Sequence, residues 1–387
     1  MPNQKLPKNF LESTGHGQCA VAIPSTLSLE NSLNEIFVFA RAQQASDVHL
    51  SVNNSIFFRL FGSLKSQTEK MLSFEKMEKI IEALLTPEQL DHFQKIGDLE
   101  FVYVIKGAGR FRITVIKQRH GIDLTARLIP CEIPSFEESG IPTSCTNLTK
   151  WAQGLILVTG PAGCGKTTTL SILVEMINQT RAEHIITIEN PIEIVYTPKQ
   201  CQITQRQLNK HTLSQANALR AALREDPDIL VVSELRDLES IQLAVTAAET
   251  GHLVLGTMNT NNASQTISSL IDSFPPDEQA IITNMISESL RGVISQQLVP
   301  KQDGTGVAAA YEVLIVNTAV ANMIRERKTQ LINNAITTGK SAGMVLFDNS
   351  LQELVNTGII NGEEAYARSI NPNTFAQYSK KQGENIG

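Results

Sequence analysis

The chain has 387 residues, 42% of them hydrophobic, with 33 Lys and Arg against 39 Asp and Glu and a formal net charge of −6. That length suits two or three domains of ordinary size, and the apolar share is enough to fill their cores. The acidic balance argues against nucleic acid as the main partner, so no nucleic acid is expected.

Residues 1–26 carry Pro2, Pro7 and Pro24 and little periodicity, which reads as a flexible leader. From 27 the pattern changes. Leu29, Leu33, Ile36, Phe37 and Ala40 fall on one helical face, with Ser28 or Thr26 available as a cap. Strand-like runs follow at Asp47–Ser51 and Ile56–Phe61, then a helical pair that buries Ile80, Ile81, Leu84 and Leu85 and whose second member starts at Thr86-Pro87. Three more strands, Leu99–Ile105, Arg110–Lys117 and Leu124–Ile129, complete a mixed, largely antiparallel sheet with helices, assigned to residues 27–133. The proline-marked stretch at 134–149 reads as an interdomain linker.

Beyond it strands alternate with helices. The strand-like runs are 154–160, 184–189, 228–233 and 253–258, followed by 293–299 and 310–316. Alternation of this kind predicts an α/β domain at 150–318 built on a parallel sheet, with its site at the carboxyl ends of the strands. Apolar stripes at Ala319, Val320, Met323 and Ile324, at Leu331, Ile332, Ala335 and Ile336, and at Leu351, Leu354 and Val355 give C-terminal helices over 319–376, before a polar tail at 377–387. Neither a signal peptide nor a membrane span of ~18 apolar residues is visible, so a cytoplasmic location is expected. The five cysteines, Cys19, Cys131, Cys145, Cys164 and Cys201, contain no C-x-x-C pair and point to neither zinc nor disulfides.

The chemistry concentrates after the apolar run Leu155–Val158, in Gly160, Pro161, Ala162, Gly163, Cys164, Gly165, Lys166 and Thr167, with Thr168 on the turn that follows. G-x-x-x-x-G-K-T between a strand and a helix is a phosphate cradle. Glycines turn backbone N–H groups inward, the lysine reaches the β/γ oxygens, and the Thr167 hydroxyl is placed to ligate Mg2+. ATP and Mg2+ are the expected ligands. Two acidic motifs end later strands, Ile185–Glu189 continuing through Asn190-Pro191 to Glu193, and Asp228–Val232 continuing to Glu234. A carboxylate beside the γ-phosphate can orient or deprotonate water, or hold Mg2+.

These motifs, in this order, resemble the secretion-superfamily ATPases and, more narrowly, the PilT-like type IV pilus retraction ATPases. The resemblance also rests on Ser46-Asp-Val-His-Leu50, Gly109-Arg-Phe-Arg112, Ala222-Leu-Arg-Glu-Asp-Pro-Asp228, Glu249-Thr-Gly-His252 and Phe274-Pro275. The stretch Ala319–Glu326 is similar to a helix that marks the retraction branch, and the four-cysteine zinc module usual in pilus-assembly and type II secretion ATPases is absent from the sequence. The resemblance implies an N-terminal PAS-like domain, a RecA-like ATPase domain and C-terminal helices, assembled as a homohexamer. By position it makes Glu189 the catalytic carboxylate, Glu234 the Walker B acid and metal ligand, and His252 the first histidine of the family's His box, and so places Glu189, Glu234, His252 and Asn259 in the catalytic set. Arg110, Arg112 and Arg127 become candidate nucleotide-binding arginines from the small domain.

The function so implied is ATP hydrolysis driving pilus retraction, at the cytoplasmic face of the inner membrane. The implied partners are an inner-membrane platform protein, through which alone the motor meets the membrane, and a paralogous pilus ATPase. Two other readings stand beside it: an ATPase of a related secretion or conjugation system, and a weakly hydrolysing or non-hydrolysing regulator of a paralogue. The last is suggested by departures from the family pattern. Asn190 replaces Asp, Ser233 replaces Gly, and Asn259 replaces the second His, so its amide can polarise water or phosphate but cannot titrate near neutral pH. Cys164 reads first as a small residue that fits the loop; its place at a helix start offers a second reading, a thiol open to oxidation or alkylation and protected by ATP.

Overall fold

The computed structural model describes Pro24 and residues 26–379. Cys19, nearly all of the expected leader and most of the polar tail lie outside them. The chain divides into two compact units, one reaching Glu132 and including Pro191–Ile194, the other made of Ile133–Asn190 and the chain from Val195 onward.

The first unit opens with α1 (Leu33–Ala42). Its cap is Ser32 rather than Ser28 or Thr26. The Ser32 hydroxyl accepts from the Glu35 N–H while the Glu35 carboxylate takes the Ser32 N–H, so two helix-start donors are satisfied at once. Leu29 therefore precedes the helix, although it still packs against the core. Strands β1 (Asp47–Ser51), β2 (Phe57–Leu60) and β3 (Ser63–Ser66) follow, then α2 (Phe74–Leu84) and α3 (Pro87–Ile96), the latter capped by Thr86 with Pro87 in its first turn. β4 (Asp98–Ile105), β5 (Gly109–Gln118) and β6 (Gly121–Leu128) complete a sheet in the order β3-β2-β1-β6-β5-β4. All its pairings are antiparallel. Phe37 of α1 stacks on Phe111 of β5 with ring centroids 4.9 Å apart, an anchor worth about 1 kcal/mol beyond its burial.

In the second unit the stretch expected as a linker is packed. Ser135 caps a single turn, α4 (Phe136–Ser139), and a 3-10 segment at Thr143–Lys150 buries Cys145 and Leu148. The following elements are β7 (Gly154–Thr159), α5 (Lys166–Thr180), β8 (His184–Glu189), β9 (Gln202–Gln207), α6 (Gln215–Ala222), β10 (Ile229–Val232), α7 (Leu238–Glu249) and β11 (Leu253–Met258). Next come α8 (Ala263–Asp272), α9 (Gln279–Ser289), β12 (Leu290–Pro300) and β13 (Val307–Ile315). The sheet order is β13-β12-β7-β11-β10-β8-β9. Every pairing in it is parallel except the last hairpin, where β13 returns antiparallel along β12 from Pro300↔Val307 to Gly292↔Ile315.

α10 (Thr318–Arg325), α11 (Ile332–Thr338), α12 (Phe347–Asn356) and α13 (Gly362–Arg368) follow, and a 3-10 segment at Pro372–Tyr378 closes the described chain. Val320 and Ile324 of α10 are fully buried in the main core, whereas Ala319 of the expected stripe is exposed.

Candidate nucleotide site

The loop owes its path to β7, whose six residues are all buried and therefore fix where the turn begins. Gly160 has φ +144°, and a Cβ there would lie 2.3 Å from the Gln296 carbonyl oxygen and 2.6 Å from Cys164 Sγ. No larger residue fits. Gly165 has φ +90° and starts α5 without a side-chain cap, so the first N–H groups of that helix are left for an anion. Pro161, Ala162 and Gly163 form the exposed crest of the loop. Lys166 Nζ donates to the carbonyls of Gly160 at 2.8 Å and Pro161 at 3.0 Å, and to Asn259 Oδ1 at 2.8 Å.

Cys164 does not meet the expectation of a reactive thiol. It is 3% exposed, and burial pushes its pKa up despite the nearby Lys166 charge. Its place in the loop is that of a small buried side chain.

β7, β11, β10 and β8 are consecutive neighbours in the sheet and run parallel, so their carboxyl ends form one edge. The loop leaves β7 there, Asn259 follows β11, Glu234 lies two residues past β10, and Glu189 ends β8. Glu189 is 9% exposed. Its Oε1 accepts from Thr187 Oγ1 at 2.6 Å and from Gln205 Nε2 at 2.9 Å. Glu234 accepts from Asn259 Nδ2 and, at 2.6 Å, pairs with Arg236 Nε. Asn259 thus bridges the lysine and the carboxylate, its amide oxygen facing the cation and its NH2 facing the anion.

His252 stands apart. It precedes β11 at the amino end of the sheet, where its carbonyl accepts from Gly154 N–H and its Nδ1 lies 3.0 Å from the Ala247 carbonyl. Seven residues of extended strand put it roughly 23 Å from Asn259. The expected catalytic role for His252 is therefore corrected, since its ring cannot touch a phosphate held by this chain's own loop.

The three arginines belong to the first unit and differ in their engagement. Arg110 donates to the carbonyls of Glu193 at 2.8 Å and Ile192 at 2.7 Å. Arg112 pairs with Glu100 and, at 3.2 Å, with Glu193. Arg127 uses Nε on the buried Asp47 at 2.9 Å while its side chain is 56% exposed. Thr167, exposed on the first turn of α5, and Glu234 offer the hard oxygen donors that suit Mg2+.

Several supporting residues escaped the sequence reading. Thr187 and Gln205 hold Glu189, and Arg236 holds Glu234. Ser295 and Gln296 sit behind the loop, with Ser295 Oγ 2.8 Å from Thr159 Oγ1. Their signal was a polar run, Ser295-Gln296-Gln297, inside an otherwise apolar strand.

The model of the family described as "Type II/IV secretion system protein" matches residues 25–382. The chain is 40% identical over 343 residues to the type IV pilus retraction ATPase PilT of Pseudomonas aeruginosa, covering 89% of this chain and 99% of that one. It is 41% identical over 318 residues to a twitching motility protein of Neisseria gonorrhoeae, covering 82% and 85%. Among solved structures, the crystal structure of the pilus retraction motor PilT with bound ADP matches with TM-score 0.80 and 39% identity, over 90% of this chain and 100% of that one. Matched over residues 25–382 by the family model and nearly end to end by PilT, the chain belongs to the type II/IV secretion system protein family.

Proposed function

We propose that this chain is an ATPase that drives retraction of a type IV pilus, and so twitching motility. One observation carries the reading: the glycine-rich loop, Lys166, Glu234 and Glu189 share the carboxyl edge of four adjacent strands, in a chain that matches PilT over nearly its whole length. The loop N–H groups and Lys166 bind the β/γ-phosphates, and Glu189 orients and deprotonates the attacking water. Thr167 and Glu234 are the residues that would hold Mg2+, which when bound neutralises phosphate charge. Asn259 takes the place of a histidine beside the γ-phosphate. Arg110, Arg112 and Arg127 add permanent positive charge for the nucleotide.

The proposed assembly is a homohexamer acting at the cytoplasmic face of the inner membrane on a platform protein, beside a paralogous motor. Among the described residues no helix is long and apolar enough to cross a membrane.

Purified protein with Mg-ATP should release phosphate. Glu189→Gln and Glu234→Gln should each slow release by about 100-fold or more while ADP still binds. A strain deleted for the gene should keep its pili extended and lose twitching. ADP binding without phosphate release would replace this reading with the regulator, and active enzyme from a strain that retracts normally would point to another secretion or conjugation client. Because Asn259 carries no titrating proton, Asn259→His should add an acidic limb to the rate profile over roughly pH 5.5 to 8. Superimposable profiles would refute that role.

A further inference from the structure

Behind the loop runs a buried polar chain that the proposed chemistry does not use. β12 lies parallel to β7 with Ser295 opposite Thr159, and the next residue, Gln296, is 2% exposed. Gln296 Nε2 donates to the Cys164 carbonyl at 2.6 Å, and Gln296 Oε1 accepts from Thr169 Oγ1 at 2.7 Å. The Gln296 backbone carbonyl is the group that excludes a Cβ at Gly160, and its Nε2 would lie 3.2 Å from one at Gly165. One residue therefore touches the loop where it leaves β7 and again where it enters α5. Across the hairpin Tyr311 pairs in register with Gln296 and donates to the Ser139 carbonyl at 3.3 Å. Burial pushes that phenol up to about 12, so it remains a donor.

The consequence follows from peptide planarity. In a trans peptide the C=O and N–H point in opposite directions, so turning the Cys164 carbonyl inward onto Gln296 turns the Gly165 N–H outward, toward the concave side of the loop. A glutamine amide meets the need because it offers a donor to one partner and an acceptor to the other. A glutamate lacks the donor, and an aliphatic side chain lacks both.

We propose that Gln296 is a positioning residue for the nucleotide, aiming the Gly165 N–H at phosphate through its hold on the Cys164 carbonyl. The inference rests on the nucleotide-site reading of the loop. Gln296→Met keeps the volume and removes both hydrogen bonds. In the full-length protein it should raise the Kd for a fluorescent ADP analogue and the KM for ATP about tenfold, with kcat changed less than about twofold. Thr169→Val should raise both about threefold alone and add nothing in the Gln296→Met background, because Thr169 acts on the loop through Gln296. A merely structural role would lower the melting temperature and leave Kd and KM of the folded protein unchanged, and that result overturns the inference. If Gln296→Met fails to fold, an unchanged Kd and KM in Thr169→Val overturns it in the same way. Parent protein that binds no ADP analogue would overturn the nucleotide-site reading itself, which is distinct from parent-like binding in the variants.

Discussion

Glu312 on β13 is a buried carboxylate outside the nucleotide site. It is 1% exposed, Oε1 accepts from Ala263 N–H at 2.7 Å at the start of α8, and Oε2 is buried without a hydrogen-bond partner. Burial pushes its pKa from 4.5 up to about 7, with the Asp348 charge adding to the rise and the Ala263 N–H opposing it. Between those values the folded chain holds a proton that the unfolded chain has released, so stability falls as pH rises through that window. The loss amounts to about 3 kcal/mol by pH 8. Glu312→Gln, which can still accept from Ala263, should flatten this decline and be more stable than the parent at pH 8. Parallel urea-stability curves for the two proteins from pH 5 to 8 would contradict it. The sequence showed none of this, because a glutamate inside an apolar strand pattern looks like the solvated position of an alternating one. Asn259 is the opposite case: the sequence singles it out, and the structure adds that its amide joins Lys166 to Glu234.

At the level of elements, legibility followed hydrophobic pattern. β7, β8, β10 and β11 were found because they are apolar runs buried on both faces. β3 and β9 were missed because they are outermost strands, with residues such as Ser63, Lys65, Gln202 and Arg206 that carry no alternating apolar signal. The antiparallel direction of β13 was missed as well, since strand direction is set by the connection and not by the strand's own residues. Periodicity placed α10 within a residue of its start but overstated its buried face, which reduces to Val320 and Ile324 with Met323 partly covered. Ile324→Ala should therefore cost about 3 kcal/mol in urea denaturation, through lost burial and a residual cavity. Ala319→Ser on the exposed side should cost less than about 0.5 kcal/mol. Equal losses at both positions would show that α10 is not held by that pair.

For the whole molecule, the two units have separate hydrophobic cores, and the glycine-rich loop with both carboxylates belongs to the second. Calorimetry should accordingly resolve two transitions, with ADP at about 100 times its Kd stabilising the loop-bearing one by about 2.7 kcal/mol. One transition that moves as a block would argue that the cores unfold together. Light scattering should find particles of six chains of 42.4 kDa each, and monomers at every concentration would remove the ring from the proposal. The turn of the terminal hairpin, with Gln302 to Thr305 exposed, joins the strand that braces the loop to the strand that leads into the C-terminal helices. A protease nick between Asp303 and Gly304 would make two polypeptides of one. The ladder from Pro300↔Val307 to Gly292↔Ile315 should hold them as a single particle that still binds nucleotide, so that the sheet and not the peptide bond is what keeps the motor's two ends in one body.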